Sequence, residues 1–409
     1  MVIIAPVLQY SSTPSMDNPP QGSGVLGGGV SNRPKRIMLV VGEASGDLHG
    51  SHLVKSLYRL DPTLEIFGVA GERLKQEGLR VVFDVALLTG MGLTELVGNL
   101  GTLWKAYRRL RSALKEERPD LLILIDFPEF NLRLARLAKQ LRIPVLYYIS
   151  PQVWAWRRRR IAKIARAVDQ MTVVFPFEVP LYDRAGVRVS FVGHPLLDIV
   201  QPSRSREATL TQHGLKPAKP TIALLPGSRR REVAYNLPPM LEAADRLNRE
   251  MEAQFILACA STVPRRQVEE LVRRASVPVS IVDGDVYNVL SAADLAWVAS
   301  GTVTLEAALL EKPMIIIYRL AWLTYGLAKL LVRVNHIGMV NIIAEETVVP
   351  ELIQGNVTGE RIFAESVKIL RDAALRRETV KKLAQIRQKL GSPGASDRVA
   401  EIALGMMMG

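Results

Sequence analysis

The sequence contains a single cysteine, Cys259, among its 409 residues. One thiol cannot form a disulfide within its own chain, so the disulfide-rich secreted folds are excluded and a reducing compartment is favoured. Cys259 lies in the apolar run 255–260. We therefore expect a buried core thiol rather than a nucleophile.

Long apolar segments are also missing. No run reaches the length of about 18 apolar residues that a membrane-spanning helix needs, so none is predicted. The first residues lack the basic leader that opens a signal peptide. We expect the folded part of the chain to lie in the cytoplasm.

Acidic residues are fewer than basic ones. The chain has 53 Lys and Arg against 40 Asp and Glu, which gives a net charge of +13. Such an excess favours an acidic partner, whether nucleic acid, anionic lipid or a phosphorylated substrate. A solvated basic surface without a specific partner is the alternative.

What the sequence does contain is an alternating α/β pattern. Short apolar runs are separated by stretches of helical periodicity, which indicates parallel sheets covered by helices on both faces. A polar stretch near residue 201 divides the pattern into two sets. The predicted strands are 36–41, 65–69, 121–125, 145–149, 171–174, 189–192, 221–225, 254–258, 279–282, 295–298 and 314–318. The fold class is therefore α/β, with two Rossmann-like domains and parallel sheets that face a central cleft.

The same pattern predicts how the chain is divided. Residues 1–34 are rich in Ser, Pro and Gly and are expected to form a disordered tail. The first Rossmann-like domain spans 35–200 and the second spans 201–375. Residues 376–409 form a C-terminal helical segment that packs back on the first domain or on a partner chain. Ligands of such sheets bind at the carboxyl ends of the strands.

A glycine-containing turn follows the first strand. Residues 42–50 read GEASGDLHG, and a turn of this kind between a strand and a helix presents backbone N–H groups to an anion or a sugar hydroxyl. Its glycine spacing differs from the dinucleotide fingerprint. Glu43 is a candidate functional residue because it lies at the carboxyl end of the strand. Ser45 or Asp47 could instead cap the helix.

Asp126 follows the buried strand 121–125. A carboxylate at that position is costly unless it is paired or used in chemistry, and a general base for a sugar hydroxyl would lie in such a cleft. Asn131 could cap the next helix, whose start Pro128 favours. A structural cap is the alternative role for Asp126.

Two basic segments carry tryptophan. Residues 150–160 read SPQVWAWRRRR, and residues 91–111 join an apolar stripe to a basic cluster. Both suit a lipid headgroup surface or acyl chains. Nucleic-acid stacking and ordinary packing on the sheet are the alternatives. The selected residues are Trp154 in the first segment, and Leu93, Val97, Leu100, Trp104, Arg108 and Arg109 in the second.

Two turns in the second domain fit a diphosphate. The first follows the strand 221–225 and carries an arginine that can hold a phosphate. The second begins a helix with small residues, so its first N–H groups and its dipole favour an anion. A glutamate one turn inside that helix could accept ribose hydroxyls. The residues are Ser228 and Arg229 in the first turn, and Ser300, Gly301, Thr302 and Glu306 in the second.

A metal site is not expected. The Asp-Gly-Asp string at 283–285 fits a turn with a helix cap better than a pair of ligands. The five histidines show no metal-binding spacing.

Taken together, these motifs resemble the lipid-A-disaccharide synthase family, and the string SPQVWAW is the most specific of them. The matching segments are 42–47, 91–92, 126–131, 150–156, 175–178, 193–195, 225–229, 300–306, 313–314 and 318–319. The resemblance implies a GT-B fold and an inverting glycosyl transfer without a metal or other cofactor. It implies a UDP-activated 2,3-diacylglucosamine donor and a 2,3-diacylglucosamine 1-phosphate acceptor, which form a β-1,6 disaccharide 1-phosphate and UDP.

The resemblance also implies roles for residues, domains and partners. Asp126 would be the base for the acceptor 6-hydroxyl, with Glu43 and Arg229 as further catalytic residues and Asn341 at a functionally important position. The first domain would face the acceptor and the membrane, and the second would bind the UDP-sugar. An anionic membrane on the inner face of the inner membrane is an expected partner, nucleic acid is not, and a homodimer is left open. The chain departs from the family pattern at Glu129 and at Met339-Val340.

Two other functions compete with this prediction. One is another GT-B enzyme on a UDP-amino sugar, either a 2-epimerase or a transferase with a soluble acceptor. The other is a non-catalytic membrane-binding homologue. The apolar stripe 93–107 argues against a soluble acceptor, and the combination of Asp126, Arg229 and Glu306 argues against a protein that only binds.

Overall fold

The computed structural model describes residues 33–42, 44–89, 100–151, 160–319 and 336–408. From Lys35 onward the chain forms one compact unit. It is built on two parallel sheets, as predicted, with helices packed on their faces. The domain limits at 200 and 375 stay a prediction.

The first sheet has strand order β3-β2-β1-β4-β5-β6-β7. All its strand pairs are parallel, and β1 pairs with both β2 and β4. The direction of the strand order therefore reverses between β1 and β4, where ligands of such sheets bind. The strands are β1 Arg36–Val41, β2 Glu65–Ala70, β3 Arg80–Asp84, β4 Leu121–Ile125, β5 Val145–Tyr148, β6 Gln170–Val173 and β7 Arg188–Phe191.

The helices of this half follow its strands in sequence. Because helices α1 to α7 lie on the connections between successive parallel strands, the strand carboxyl ends meet at one edge of the sheet. The helices are α1 Ala44–Leu60, α2 Glu72–Gln76, α3 Ala86–Thr89, α4 Leu100–Glu117, α5 Pro128–Gln140, α6 Ile161–Ala165, α7 Val179–Asp183 and α8 Leu196–Ile199, with a 3₁₀ turn at Pro176–Glu178.

The second sheet repeats the arrangement with strand order β10-β9-β8-β11-β12-β13. Its order reverses between β8 and β11. The strands are β8 Thr221–Leu225, β9 Gln254–Cys259, β10 Val279–Asp283, β11 Leu295–Ala299, β12 Met314–Tyr318 and β13 Glu351–Ile353. The helices are α9 Arg206–Gln212, α10 Arg230–Met251, α11 Arg265–Val272, α12 Val286–Ala292, α13 Thr302–Leu309, α14 Met339–Ala344, α15 Gly359–Arg371, α16 Ala373–Lys389 and α17 Ala395–Met408, with a 3₁₀ turn at Gln354–Asn356.

The central strands are buried because helices cover both faces of each sheet. Strands β4, β5, β8 and β11 have no exposed residue. Cys259 is buried in this core as a free thiol, as expected. Among the described residues, no helix is both long and apolar enough to cross a bilayer.

The last helix returns to the first half of the molecule. Helix α17 packs on α1, and the Ser56 hydroxyl donates to Asp397 at 2.6 Å. The connection into α17 runs beside the one that leaves β7, where the His194 N–H donates to the Leu390 carbonyl oxygen at 2.9 Å. The Arg398 guanidinium donates to the Val192 carbonyl oxygen at 2.7 and 2.9 Å. The two connections between the sheets are thus tied together.

Candidate active site

Asp126 lies directly after β4, at the carboxyl edge of the first sheet. Its φ is 55° and that of Phe127 is 48°, so both residues are in the left-handed region. The Asn131 Nδ2 group and the Tyr147 hydroxyl donate to the Asp126 carbonyl oxygen, at 2.8 and 2.5 Å. The backbone is therefore fixed while the residue stays partly exposed.

Asn131 and Tyr147 are themselves completely buried. Asn131 was predicted as a substrate-binding residue, and the structure places it under Asp126 rather than at the surface of the cleft. We infer that it acts through the Asp126 backbone. Tyr147 was not predicted, because the sequence of β5 alone does not show that its hydroxyl reaches the backbone just after the neighbouring strand β4.

The end of β1 lies beside the end of β4, since Val41 pairs with Ile125. Gly42 follows β1, and a Cβ atom on it would lie 2.2 Å from the Phe127 Cβ. Only glycine allows this approach of the two turns. Glu43 lies outside the described residues.

Ser45 and Asp47 lie in the first turn of α1. Ser45 is partly exposed. Asp47 is buried and accepts hydrogen bonds from the backbone N–H groups of Gly71 and Arg73, at 2.7 and 3.1 Å. Asp47 therefore caps α2, and not the helix to which it belongs.

Helix α4 contains most of the segment 91–111, and it has one buried face and one exposed face. Ala106 and Leu110 are buried, whereas the Trp104 side chain is 60% exposed. The Arg108 guanidinium lies 4.6 Å from the Trp104 ring centroid, and Arg109 is exposed. A groove of about 440 Å³ beside these residues is lined by Gly101, Leu103, Trp104, Tyr107 and Arg133.

Three of the predicted tryptophan and apolar residues cannot be placed. Leu93, Val97 and Trp154 lie outside the described residues, and Leu100 begins α4.

Arg229 lies after β8 and immediately before α10. Its guanidinium is exposed and is 3.3 Å from Glu232. The same carboxylate accepts from the backbone N–H groups of Ser228 and Arg229, at 3.0 and 3.2 Å. The backbone N–H groups of Ser228 and Arg229 are therefore occupied by the protein, while the exposed Arg229 guanidinium can hold an anion.

The start of α13 is different. No side chain caps it, its N-cap is Gly301, and a Cβ on Gly301 would meet nothing within 4 Å. Ser300 is partly exposed and Thr302 is exposed. Since the dipole of a helix favours an anion at its N-terminus, these open N–H groups fit a diphosphate better than the turn at Ser228.

Glu306 lies one turn inside α13 and is mostly buried. Burial raises the pKa of its carboxyl to about 7, and a hydrogen bond from the Tyr287 hydroxyl opposes part of this change. Burial also raises the pKa of Tyr287 to about 12. A carboxyl that changes charge near neutral pH therefore lies beside the open start of α13.

The two halves of the molecule approach each other at this point. Arg73, in α2 of the first half, is near enough to Tyr287 in the second half to affect its ionisation. Arg73 lies after the carboxyl end of β2 and Tyr287 after that of β10, so the carboxyl edges of both sheets face each other. Arg73 and Tyr287 were not among the predicted site residues.

Asn341 is fully buried in α14. Its Nδ2 donates to the Val349 carbonyl oxygen and to Glu351, at 2.9 and 2.8 Å, and its Oδ1 accepts from Val348 N–H. The side chain thus organises the chain around residues 337–351. We infer that any effect of Asn341 on substrate is indirect.

The Asp-Gly-Asp string is engaged in ion pairs. Asp283 pairs with Arg265 at 2.5 Å, and Asp285 pairs with Arg204. Within the described ranges, no group of three or more His, Cys, Asp or Glu side chains is arranged to hold a metal ion.

Comparison with known proteins gives a match along nearly the whole chain. A family model described as "Lipid-A-disaccharide synthetase" matches residues 37–404. The lipid-A-disaccharide synthase of Geobacter metallireducens is 50% identical over 374 residues, 91% of this chain and 97% of that protein. That of Nitrosococcus oceani is 43% identical over 381 residues, 93% of this chain and 98% of the relative.

Solved structures share the architecture at low sequence identity. The UDP-GlcNAc 2-epimerase from Neisseria meningitidis bound to UDP-GlcNAc superposes with a TM-score of 0.62 at 13% identity, over 90% of this chain and 100% of the other. MurG from Acinetobacter baumannii gives 0.57 at 15% identity, over 91% and 100%. At this identity the likeness concerns the fold alone, two parallel-sheet α/β halves of the GT-B type.

Proposed function

This chain belongs to the lipid-A-disaccharide synthase family, and we propose that Asp126 is the general base of its reaction. The protein is a glycosyltransferase of lipid A biosynthesis. We propose a UDP-linked 2,3-diacylglucosamine as the donor and 2,3-diacylglucosamine 1-phosphate as the acceptor. The product is then a β-1,6-linked disaccharide 1-phosphate.

The chemistry is a single displacement at the anomeric carbon of the donor. The Asp126 carboxylate takes the proton of the acceptor 6-hydroxyl while that oxygen bonds to the anomeric carbon. The bond from this carbon to the diphosphate breaks, and UDP leaves with the electron pair. The geometry at Asp126 carries this proposal, because two buried donors fix its backbone at the edge where the strand order reverses.

The leaving diphosphate needs positive charge as its bond breaks. We propose that the Arg229 guanidinium and the N–H groups at Ser300–Thr302 supply it, and that Glu306 accepts the ribose hydroxyls as a carboxylate. Preorganised donors of this kind act most strongly in a cleft from which water is excluded. Glu43 and Ser45, beside the end of β1, are proposed to contact the acceptor.

The test is UDP release from the purified protein, with both sugars present and then with the acceptor omitted. Asp126→Asn should lower kcat by about 10²–10⁴-fold, the usual contribution of a general base, with little change in the donor KM. An Asn variant that turns over at the parent rate would refute the base assignment. Release of UDP without acceptor would indicate hydrolysis of the donor instead.

We further propose that the protein binds the inner face of the inner membrane through α4. Exposed Trp104 and the cations Arg108 and Arg109 lie on one surface beside the groove lined by Leu103 and Tyr107. Trp sits at membrane interfaces, and Arg binds lipid phosphates. The groove can take an acyl chain. Association as a homodimer stays a prediction, which sedimentation equilibrium would test.

A further inference from the structure

Ser150 and Arg160 lie on either side of residues 152–159, which are outside the described residues, and each contacts a carboxylate. The Ser150 hydroxyl donates to Glu178. The Arg160 guanidinium pairs with Glu129.

Glu178 is a buried carboxylate that accepts hydrogen bonds from neighbouring groups. It is 1% exposed, and it accepts from Ser150 and from the Phe175 backbone N–H, the latter at 3.3 Å. Burial of a carboxylate is costly without such donors. The 3₁₀ turn Pro176–Glu178 therefore fixes the carboxyl end of β5, and this gives the Phe-Pro-Phe-Glu motif a local function.

Glu129 is the second residue of α5 and lies three residues after Asp126. The Arg160 side chain with which it pairs is only 12% exposed, and burial lowers the pKa of that guanidinium. A cation in such surroundings depends on its anionic partner more than an exposed one does. The ion pair thus connects the helix that follows Asp126 to the start of α6.

We propose that Glu129 and Glu178 are positioning residues for the phosphorylated acceptor sugar. They fix Arg160 and Ser150 relative to Asp126, so that the acceptor hydroxyl meets the base in a reactive orientation. This inference rests on the proposed function. It also explains how Glu129 can stand where the family pattern has aspartate, since either carboxylate can pair with Arg160.

The test compares Glu129→Gln, Glu129→Asp and Glu178→Gln in the UDP-release assay, with each substrate varied in turn. Small misplacements in an active site cost about 10- to 100-fold in rate. We expect Glu129→Gln and Glu178→Gln to lower kcat/KM for the acceptor by about that factor, with the donor KM within about twofold of the parent. Glu129→Asp should restore most of the loss.

The matched control is Glu269→Gln, which removes the same charge from an exposed ion pair with Arg265 on α11. It should leave both KM values unchanged. Arg160→Gln combined with Glu129→Gln should cost no more than either alone, because coupled residues are not additive. An unchanged acceptor kcat/KM in both Gln variants, or equal loss in Glu129→Asp, would overturn the inference.

Failure of the inference is distinct from failure of the proposed function. If the parent protein releases no UDP from the two sugars, the proposed function fails. If the parent is active and Asp126→Asn is not, while the Glu129 and Glu178 variants match the parent, the positioning role alone is wrong. Thermal unfolding of each variant shows whether a loss comes from the site or from the fold.

Discussion

Asp126 occupies a backbone conformation that few residues tolerate. Left-handed φ values are several-fold enriched in Asp and Asn and disfavoured for residues such as Ala. Asp126→Asn therefore preserves the turn that Asn131 and Tyr147 hold, whereas Ala adds strain of about 1–2 kcal/mol to the loss of the carboxylate. The Asn variant is the one that separates chemistry from folding.

The buried carboxyl of Glu306 should make stability depend on pH. Its folded pKa, about 7, is above the ordinary value of 4.5. A stabilising contribution is therefore present below about 4.5 and is lost as pH rises through about 7. Glu306→Gln stays neutral, so it should be more stable than the parent at about pH 8, by about 1–3 kcal/mol, and nearly equal to it at about pH 4.

Urea unfolding at the two pH values measures this difference. Tyr287→Phe is the matched variant: it removes the hydrogen bond that favours the charged carboxyl and should enlarge the loss of stability at high pH. A gap between parent and Glu306→Gln that is the same at both pH values would contradict the prediction.

The sequence indicates the proposed site residues better than it does the buried residues that contact them. Asp126 and Arg229 could be proposed because Asp126 directly follows the apolar strand β4 and Arg229 lies in the short turn after β8, and strand ends are readable from the pattern. The burial of Asn131 and Asn341 could not, since their amides bond to backbone groups whose positions depend on tertiary folding. Tyr287, too, meets Glu306 only when β10 and β11 are placed in one sheet.

At the scale of the elements, the exposed start of α13 belongs to the proposed donor site. A carboxylate introduced at Thr302 would meet the positive end of the helix dipole and stabilise the helix by about 0.3–1 kcal/mol. It would also repel the diphosphate. Thr302→Asp should therefore keep or raise the melting temperature while weakening UDP binding by about tenfold or more, the equivalent of about 1.4 kcal/mol.

Calorimetric titration with UDP measures the change in affinity, and a thermal melt measures the change in melting temperature. Ala373→Asp is the control, because it places the same charge in the first turn of α16, where Ala373 is exposed. Equal UDP affinity in Thr302→Asp and the parent would remove α13 from the donor site.

The strands were predicted more accurately in the centre of each sheet than at its edges. Strands β4, β8 and β12 have the predicted limits because they are continuous apolar runs. Strands β3 and β13 were missed: Arg80–Asp84 is mostly exposed or half-buried, and Glu351–Ile353 is only three residues long. A short edge strand that is largely exposed leaves little periodic signal.

At the scale of the whole molecule, Arg398 stabilises the place where the two connections between the sheets lie side by side. Besides its bonds to Val192, its guanidinium donates to the carbonyl oxygens of Ser392 and Pro393, at 2.6 and 2.8 Å. Hydrogen bonds from charged groups contribute about 1.5–3 kcal/mol each. Arg398→Ala should therefore lower the free energy of unfolding by about 2–4 kcal/mol.

Equilibrium unfolding in urea measures this loss. Arg59→Ala, which removes an exposed ion pair with Asp397, should cost less than about 1 kcal/mol. Similar losses in the two variants would contradict a special role for Arg398.

The surface of α4 should give the protein a salt-dependent affinity for anionic vesicles. Reversing two charges in Arg108→Glu with Arg109→Glu should lower the bound fraction severalfold at low salt, because each basic residue near such a surface contributes about 1 kcal/mol. Sedimentation with vesicles of anionic and of neutral lipid measures the effect. Arg266→Glu with Lys216→Glu, on exposed positions of the second half, is the control, and equal loss there would point to net charge alone.

The return of α17 to α1 has a consequence for synthesis. The first sheet is made early on the ribosome, but the helix that covers part of it is encoded after the entire second sheet. Part of α1 therefore stays uncovered until α17 has been synthesised. A premature stop codon within α17 would therefore destabilise the half of the enzyme that was translated first.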